Sequence, residues 1–177
     1  QAVQDAGYEA RMTRADHPNG TCRIEEVART LTEDIVVNIQ GDEPQIEPAL
    51  VDLTVRALQQ HPAAPMATLV SHFAPGEDPA NPNIVKAVLG VDGRALYFSR
   101  SPIPYVRNSS VFEPDFRPWL GPGQLDLFQR HLGLYAYRPD TLRAFTALPP
   151  HPLELTEMLE QLRALAAGIA IGVAKTP

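Results

Sequence analysis

An aspartate directly after a predicted buried strand is the first candidate for metal chemistry in this sequence. The β-branched run at residues 35–39 is typical of a strand inside a parallel sheet. Asp42 follows it in the segment GDEP, with Gln40 just before that segment. Ligands bind beyond the carboxyl ends of strands in open α/β sheets, and one carboxylate there can hold Mg²⁺ together with water and phosphate oxygens. Since Gly, Asp and Pro also form ordinary turns, a metal site and a plain turn both stay open.

A predicted strand at residues 131–137 carries a second group of polar side chains. Side chains alternate between the two faces of a strand. The face expected to meet the core carries Leu132, Leu134 and Ala136. The opposite face carries His131, Gly133, Tyr135 and Tyr137. A glycine between a histidine and a tyrosine leaves a gap that a polyhydroxylated ligand can enter, although a half-buried strand with a polar outer face explains the same pattern.

A long helix predicted over residues 152–167 supplies carboxylates and an amide. Pro152 suits the first helical turn, and Gly168 suits the position after the last one. Glu157 and Gln161 are one turn apart, so they are expected to share a face that suits sugar hydroxyls or is simply solvated. The apolar residues expected to face the core are Leu155, Met158, Leu159, Leu162, Leu165 and Ala166.

The loop at residues 17–23 enters a helix predicted over residues 20–30, with Thr21 as its N-cap. The free N–H groups of a helix start, with Arg23 nearby, suit an anion or a polar base. An ordinary helix start explains the same residues. Cys22 is given no nucleophilic role, because no partner that would activate its thiol is identified.

The remaining pattern alternates helices with short apolar strands, which predicts one layered α/β domain over residues 1–177. The sheet is expected to be mixed but mostly parallel, with antiparallel pairing at a hairpin turn, Asp92-Gly93. Further strands are predicted at residues 8–13, 66–72, 84–89, 95–99 and the end of the chain. Further helices are predicted at residues 48–60 and 139–147, and an extended arm at residues 101–123.

The composition excludes several classes of protein. The 177 residues carry a formal net charge of -6, whereas nucleic-acid binders usually present a basic face. No apolar run is long enough to span a membrane. A single cysteine, Cys22, excludes an internal disulfide and favours the reducing cytoplasm. The chain opens on the tail of a helix that ends at Gly7 and closes on a strand, so both ends are expected to be cuts through a fold.

Six segments in this order resemble the 3-deoxy-manno-octulosonate (Kdo) cytidylyltransferases, also called CMP-Kdo synthetases. They are MTRADHPNGTCRIEEV (12–27), VVNIQGDEPQI (36–46), NPNIVKAV (81–88), ALYFSRSPIPY (95–105), QRHLGLYAYR (129–138) and PLELTEMLEQLRAL (152–165). The resemblance implies a nucleotide-diphospho-sugar-transferase-like α/β fold and a cytoplasmic, Mg²⁺-dependent homodimer. It also implies that CMP passes from CTP to the anomeric hydroxyl of Kdo for lipopolysaccharide synthesis, with release of pyrophosphate.

The resemblance also implies roles for individual residues. Asp42 is expected to bind Mg²⁺, and Gln40 to lie near the sugar and the reacting phosphate. The residues expected to contact the sugar are His131, Tyr135, Glu160 and Gln161, with Arg130 as a partner for its carboxylate. The residues expected around the cytidine are Gly20, Thr21 and Arg23. Ser99 and Arg100 match the family without an assigned role.

The chain also departs from the family. It has no basic, glycine-containing loop for the triphosphate near its start, and it stops before the family's second acidic metal ligand. Two alternatives therefore stay open beside CMP-Kdo synthesis. One is a cytidylyltransferase for another acid sugar, such as an amino-Kdo or a nonulosonate, and the other is a non-catalytic remnant.

Overall fold

A six-stranded mixed sheet with helices on both faces is the framework of the fold. The computed structural model describes residues 1–41, 46–74, 76–107 and 125–176. The strands are β1 (Val36–Asn38), β2 (Met66–Ser71), β3 (Lys86–Leu89), β4 (Ala95–Ser99), β5 (Gln129–Tyr137) and β6 (Ile171–Lys175). The helices are α1 (Ala2–Asp5), α2 (Gly20–Ala28), α3 (Pro48–Gln60), α4 (Pro139–Thr146), α5 (Pro152–Glu157) and α6 (Gln161–Ala166).

The centre of the sheet is β5, which runs antiparallel to β1, β2 and β3. The strands follow the order β4-β3-β5-β2-β6, and β1 pairs with β5 off this path. The mixed sheet is confirmed, but the expectation of mostly parallel pairing is wrong: among the described residues, only β2 and β6 pair in parallel. An apolar run shows that a strand is buried but not which way it points, and β5 runs opposite to its neighbours.

Most predicted elements are confirmed, with two corrections near the start of the chain. Residues 8–13 form no strand. The N-cap of α2 is Asn19, whose Oδ1 accepts a hydrogen bond of 2.9 Å from the N–H of Cys22, and Thr21 lies inside the helix. Asn is a stronger N-cap than Thr, and Asn19 directly precedes the first helical residue, Gly20. The predicted arm at residues 101–123 lies mostly outside the described residues.

Apolar layers cover both faces of the sheet. On one face Phe98, Tyr137, Phe145 and Leu162 pack in one cluster, which places α4 and α6 against the sheet. On the other face the buried residues of α3 and the sheet form a smaller cluster, which consists of Ala57, Leu58, Ala67 and Ala136. Burying one large apolar side chain contributes roughly 1.5–3 kcal/mol, so each layer fixes its helices firmly. No helix in the described ranges has the length and apolar character needed to cross a bilayer.

The predicted hairpin between β3 and β4 is confirmed. Gly93 has φ +73°, in the left-handed region that favours glycine. A Cβ at Gly93 would lie 2.9 Å from Cε1 of His61, which caps the end of α3. The glycine therefore serves the turn and also makes room for the histidine ring.

The long helix predicted over residues 152–167 is broken in two. The break is at Met158, a non-glycine residue with φ 52° and ψ 47°, and α6 begins only at Gln161. Leu155 and Met158 are exposed, so placing them in the core was wrong, whereas Leu159 and Leu162 are buried as expected. The predicted common face of Glu157 and Gln161 does not exist, because the chain changes direction between them. Apolar spacing alone cannot reveal such a break.

Candidate functional site

A polar cleft of about 470 Å³ opens between β5, the start of α2 and the break between α5 and α6. Its lining residues are Thr21, Asn38, Gln40, Asn83, Ile84, Val85, Arg100, Arg130, His131, Gly133, Tyr135, Tyr137, Phe145, Met158, Leu159, Glu160 and Gln161. The four residues that strand alternation placed on one face of β5 therefore all meet the same cleft. A Cβ at Gly133 would approach only Cγ of Gln40, at 3.8 Å, so the expected gap between the histidine and the tyrosine is present.

A threonine hydroxyl on the neighbouring strand β2 forms hydrogen bonds to β5. The Oγ1 atom of Thr68 lies 2.7 Å from the carbonyl oxygen of Leu134 and 3.0 Å from Nε2 of His131. The pairing of β2 with β5 shifts register at this point. A hydroxyl has one proton, and the carbonyl oxygens of Leu132 and Leu134 both lie within reach of it, so Nε2 of His131 is assigned as the donor to Oγ1. Burial lowers the pKa of His131 to about 3, so the neutral ring keeps Nδ1 as its hydrogen-bond acceptor.

The hydroxyl of Tyr135 is a buried polar group without a protein partner in the described structure. Tyr135 is 7% exposed, and its ring lies 5.4 Å from that of His131. Thr68 lies close enough to lower the pKa of this hydroxyl slightly against the larger effect of burial, although no described group meets hydrogen-bond geometry with it. Burial raises the pKa of Tyr135 well above its usual value, so the hydroxyl stays protonated. A buried donor without a partner in a cleft points to a ligand.

Glu160 joins the broken helix to the start of α2. Its Oε1 accepts hydrogen bonds from Nδ2 of Asn19 at 2.8 Å and Nη2 of Arg163 at 2.9 Å. Its Oε2 accepts a hydrogen bond from the hydroxyl of Thr21 at 2.7 Å. Oε1 already accepts two hydrogen bonds, whereas Oε2 accepts one and keeps a second lone pair, so Glu160 can still accept a hydrogen bond from a ligand hydroxyl through Oε2. The three bonds fix where the carboxylate stands.

Two arginines bring positive charge to the cleft. Nη1 of Arg130 forms a 2.6 Å ion pair with Glu77, and the rest of its guanidinium forms no hydrogen bond or ion pair with the described residues. The guanidinium of Arg100 instead donates to three backbone carbonyls, those of Pro82, Glu157 and Met158. Arg130 is therefore the better placed of the two to receive an anionic ligand.

A buried lysine shapes the wall beside these arginines. Lys86 is fully buried, and its ammonium donates to the carbonyl oxygens of Asn81, Ile84 and Arg100. Burial lowers its pKa to about 8, so the ammonium remains mostly charged at neutral pH. Three protons meeting three carbonyls hold the segment that presents Asn83 to the cleft.

The structure brings together most of the residues that the sequence singled out. The predicted site residues that line the cleft are Thr21, Gln40, Arg130, His131, Tyr135, Glu160 and Gln161. Gly20 begins α2 beside it. Arg23 does not line the cleft: its Nη1 bonds Thr13 at 2.9 Å and the carbonyl of Arg14 at 2.8 Å. Asp42 lies outside the described residues.

Sequence reasoning missed Asn38, which is 4% exposed and lines the cleft at the end of β1. Its Nδ2 lies 3.5 Å from the hydroxyl of Thr21. The signal was present in the sequence, because Asn38 is the one polar residue in an otherwise apolar strand. A polar side chain at the carboxyl end of a buried strand is a reason to expect a site there.

The described residues do not by themselves make a magnesium site. They contain no group of three His, Cys, Asp or Glu side chains that could hold a metal ion. Among the described residues that line the cleft, Glu160 is the only carboxylate, and it is already bonded to Asn19, Thr21 and Arg163. Its hydrogen bonds therefore serve first to join the start of α2 to α6.

Comparison with known proteins agrees with this geometry. The cytidylyltransferase family model matches residues 1–171. The 3-deoxy-manno-octulosonate cytidylyltransferases of Syntrophotalea carbinolica and Geobacter sulfurreducens are 45% and 46% identical to this chain, over 98% and 99% of its length. The chain spans 68% and 69% of those two proteins.

A solved structure of a CMP:2-keto-3-deoxy-manno-octonic acid synthetase complexed with CTP is also similar. It is 42% identical and superposes with a TM-score of 0.82, covering 99% of this chain and 66% of the other. The nucleotidyltransferase-like α/β fold expected from the sequence is thereby confirmed. By matched family, by relatives and by fold, this chain belongs to the cytidylyltransferases, and within them to the 3-deoxy-manno-octulosonate group.

Proposed function

We propose that the protein transfers CMP from CTP to the anomeric hydroxyl of Kdo and releases pyrophosphate. The observation that carries this proposal is the polar cleft over β5, where the partnerless hydroxyl of Tyr135 lies among other hydrogen-bonding groups. Kdo carries several hydroxyls and one carboxylate. A cleft with a phenol, an imidazole, an amide and a guanidinium offers a partner for each kind of group.

The proposed reaction needs positioning more than covalent help from the protein. The anomeric oxygen forms a bond to the α-phosphorus of CTP, the bond from that phosphorus to the bridging oxygen breaks, and pyrophosphate leaves with the electron pair of that bond while the hydroxyl proton passes to solvent water. Arg130 receives the sugar carboxylate. Tyr135 donates a hydrogen bond to a sugar oxygen, and the buried amide of Gln161 fixes another hydroxyl. Holding the two reactants in line removes much of the entropic part of the barrier.

We propose Mg²⁺ as the cofactor, with Asp42 as a ligand and Gln40 near the reacting phosphate. Bound Mg²⁺ supplies charge neutralisation for the triphosphate. Support for this role comes from the place of Asp42 in the sequence, two residues after Gln40, which lines the cleft. We also propose Gly20 and Thr21 at the cytidine, with Arg23 supporting the loop through Thr13 and Arg14.

We further propose that residues 1–177 belong to a single domain of a cytoplasmic homodimer that serves lipopolysaccharide synthesis. The single cysteine and the acidic balance support a cytoplasmic protein that does not bind nucleic acid. The proposals of a homodimer and of a role in lipopolysaccharide synthesis rest on the family alone. Sedimentation of the complete gene product tests the dimer.

The first test is pyrophosphate release by the complete gene product with CTP, Mg²⁺ and a panel of Kdo, an amino-Kdo and a nonulosonate. We expect turnover with Kdo at the highest kcat/KM. A higher kcat/KM with another acid sugar would identify that sugar as the substrate instead of Kdo. No pyrophosphate release with any sugar would favour a non-catalytic remnant. The same assay on the 177-residue chain shows whether it is sufficient for activity.

The substitution Tyr135→Phe tests the sugar contact. Removing a buried hydroxyl that has no protein partner should leave the melting temperature unchanged or slightly higher. If the hydroxyl bonds the sugar, KM for Kdo should rise about tenfold, since one hydrogen bond is worth roughly 1–1.5 kcal/mol. Thermal unfolding and steady-state kinetics measure the two effects. A lower melting temperature with an unchanged KM would show that the hydroxyl serves the fold.

A further inference from the structure

The break between α5 and α6 is an elbow, defined here as residues 157–160, that aims two side chains into the cleft. Leu159 is buried under the elbow, and Glu160 and Gln161 follow it as cleft residues. At its apex Met158 adopts a left-handed conformation, which costs conformational energy for any residue with a Cβ. Such a conformation persists only where surrounding contacts hold it.

Arg100 supplies one set of these contacts. Its Nε donates to the carbonyl of Glu157 at 2.7 Å, and its Nη2 donates to the carbonyl of Met158 at 3.3 Å. Its Nη1 donates to the carbonyl of Pro82 at 2.9 Å. Carbonyls at the end of a helix lack partners within the helix, and a guanidinium is well suited to satisfy them. The planar fork of Arg100 therefore ties the end of α5 to the segment beside β3.

The side chain of Glu157 supplies a second set. Its Oε1 accepts a hydrogen bond of 2.6 Å from the hydroxyl of Ser99, and its Oε2 accepts one of 2.9 Å from the backbone N–H of Arg100. The Ser99 oxygen in turn accepts a hydrogen bond from the N–H of Ser101 at 3.0 Å. Both the backbone carbonyls of the elbow and the side chain of Glu157 are thus hydrogen-bonded to residues at the end of β4.

We propose that Arg100 is a positioning residue for the acid-sugar site, acting through the elbow on Glu160 and Gln161. This inference rests on the proposed function. Three of the N–H groups of Arg100 are occupied by backbone carbonyls, so its main task is to set the path of the chain. Glu157 supplies the other hydrogen bonds across the elbow, although it does not line the cleft. We call the hydrogen bonds of Arg100 and Glu157 across the elbow the clasp.

The test is a double-mutant cycle of Arg100→Lys and Glu157→Gln in the complete gene product. A lysine keeps the charge but cannot reach three carbonyls with a planar fork. We expect each variant to raise KM for Kdo about tenfold and to change KM for CTP less than about twofold. Because both act through one elbow, the double variant should be little worse than either single variant.

Arg143→Lys on α4 is the matched control, because Arg143 is exposed and, among the described residues, its guanidinium pairs only with Asp140 at 3.4 Å. Its kinetics should equal those of the wild type. If Arg100→Lys raises KM for Kdo while Glu157→Gln does not, Arg100 contacts the sugar directly and the positioning role is wrong. Equal increases in KM for both substrates would also overturn it.

Hydrogen exchange separates this inference from the proposed function. Amides in the peptide covering residues 157–166 should exchange faster in Arg100→Lys than in the wild type, while the peptide covering α3 should not change. If exchange at the elbow is unchanged in Arg100→Lys, the clasp does not hold the elbow. This outcome would count against the inference whichever sugar the protein uses. If the wild-type protein fails to act on Kdo but exchange at the elbow accelerates, the proposed function fails and the clasp stands.

Discussion

In the complete gene product, Asp42→Asn should lower kcat for pyrophosphate release by at least about a hundredfold, because a metal ligand contributes several kcal/mol of charge stabilisation. Among the described residues that line the cleft, only Glu160 is a carboxylate, and three protein donors already hold it. The proposed Mg²⁺ is expected to have a ligand from elsewhere, and Asp42 comes two residues after Gln40 of the cleft. The measurement is kcat as a function of Mg²⁺ concentration, with thermal unfolding to check the fold.

The matched control for this substitution is Asp52→Asn, an equal change of charge on the exposed side of α3. It should leave both kcat and the melting temperature unchanged. A second readout needs no turnover: CTP with Mg²⁺ should raise the melting temperature of the wild type more than that of Asp42→Asn, since a ligand that binds only the native state stabilises it. Near-normal turnover at saturating Mg²⁺ would remove Asp42 from the metal site.

The fold could be predicted from the sequence wherever one local signal determined an element. Pro48 at the first turn of α3 and Gly93 in the hairpin gave element boundaries that agree with the structure. The alternation in β5 correctly placed His131 and Tyr135 on the same cleft. These features depend on a few neighbouring residues, so the sequence alone carries the information.

Features that depend on distant contacts could not be predicted in the same way. The elbow at Met158 is fixed by Ser99 and Arg100, which are 57–58 residues from their elbow partners in sequence. Apolar spacing continues through the break, so a continuous helix was the natural interpretation. The direction of β5 was also hidden, because an apolar run favours a parallel sheet only on average, and a strand buried on both faces can equally have antiparallel neighbours.

The site shows the same division. Glu160 was identified from its type and from the family resemblance, but its bonds to Asn19 and Thr21 join segments about 140 residues apart. The resemblance implied a place for Arg23 around the cytidine, and in the structure its guanidinium donates to Thr13 and to the carbonyl of Arg14. A side chain as long as arginine can reach either side of its helix, so its partner is decided by the fold.

Arg163→Met should destabilise the protein by about 3–4 kcal/mol, the cost of removing one partner from a buried ionic network. Arg163 is 6% exposed, and its guanidinium lies 3.3 Å from Glu154 and 2.9 Å from Glu160. It also donates to the carbonyl of Leu148 at 3.0 Å and stacks 4.8 Å above the ring of Phe145. Methionine fills much of the same volume but removes the positive charge beside Glu154 and Glu160 and the donor to the carbonyl of Leu148.

For a chain of this size the loss corresponds to a fall in melting temperature of roughly 10 °C, which thermal unfolding measures directly. Arg143→Met on the exposed side of α4 is the control and should change stability by no more than about 0.5 kcal/mol. Arg163→Lys should recover only part of the loss, since one ammonium cannot reach Glu154, Glu160 and the carbonyl together. Wild-type stability in Arg163→Met would mean that water satisfies both carboxylates. Glu160 would then owe its place in the cleft to Asn19 and Thr21 alone.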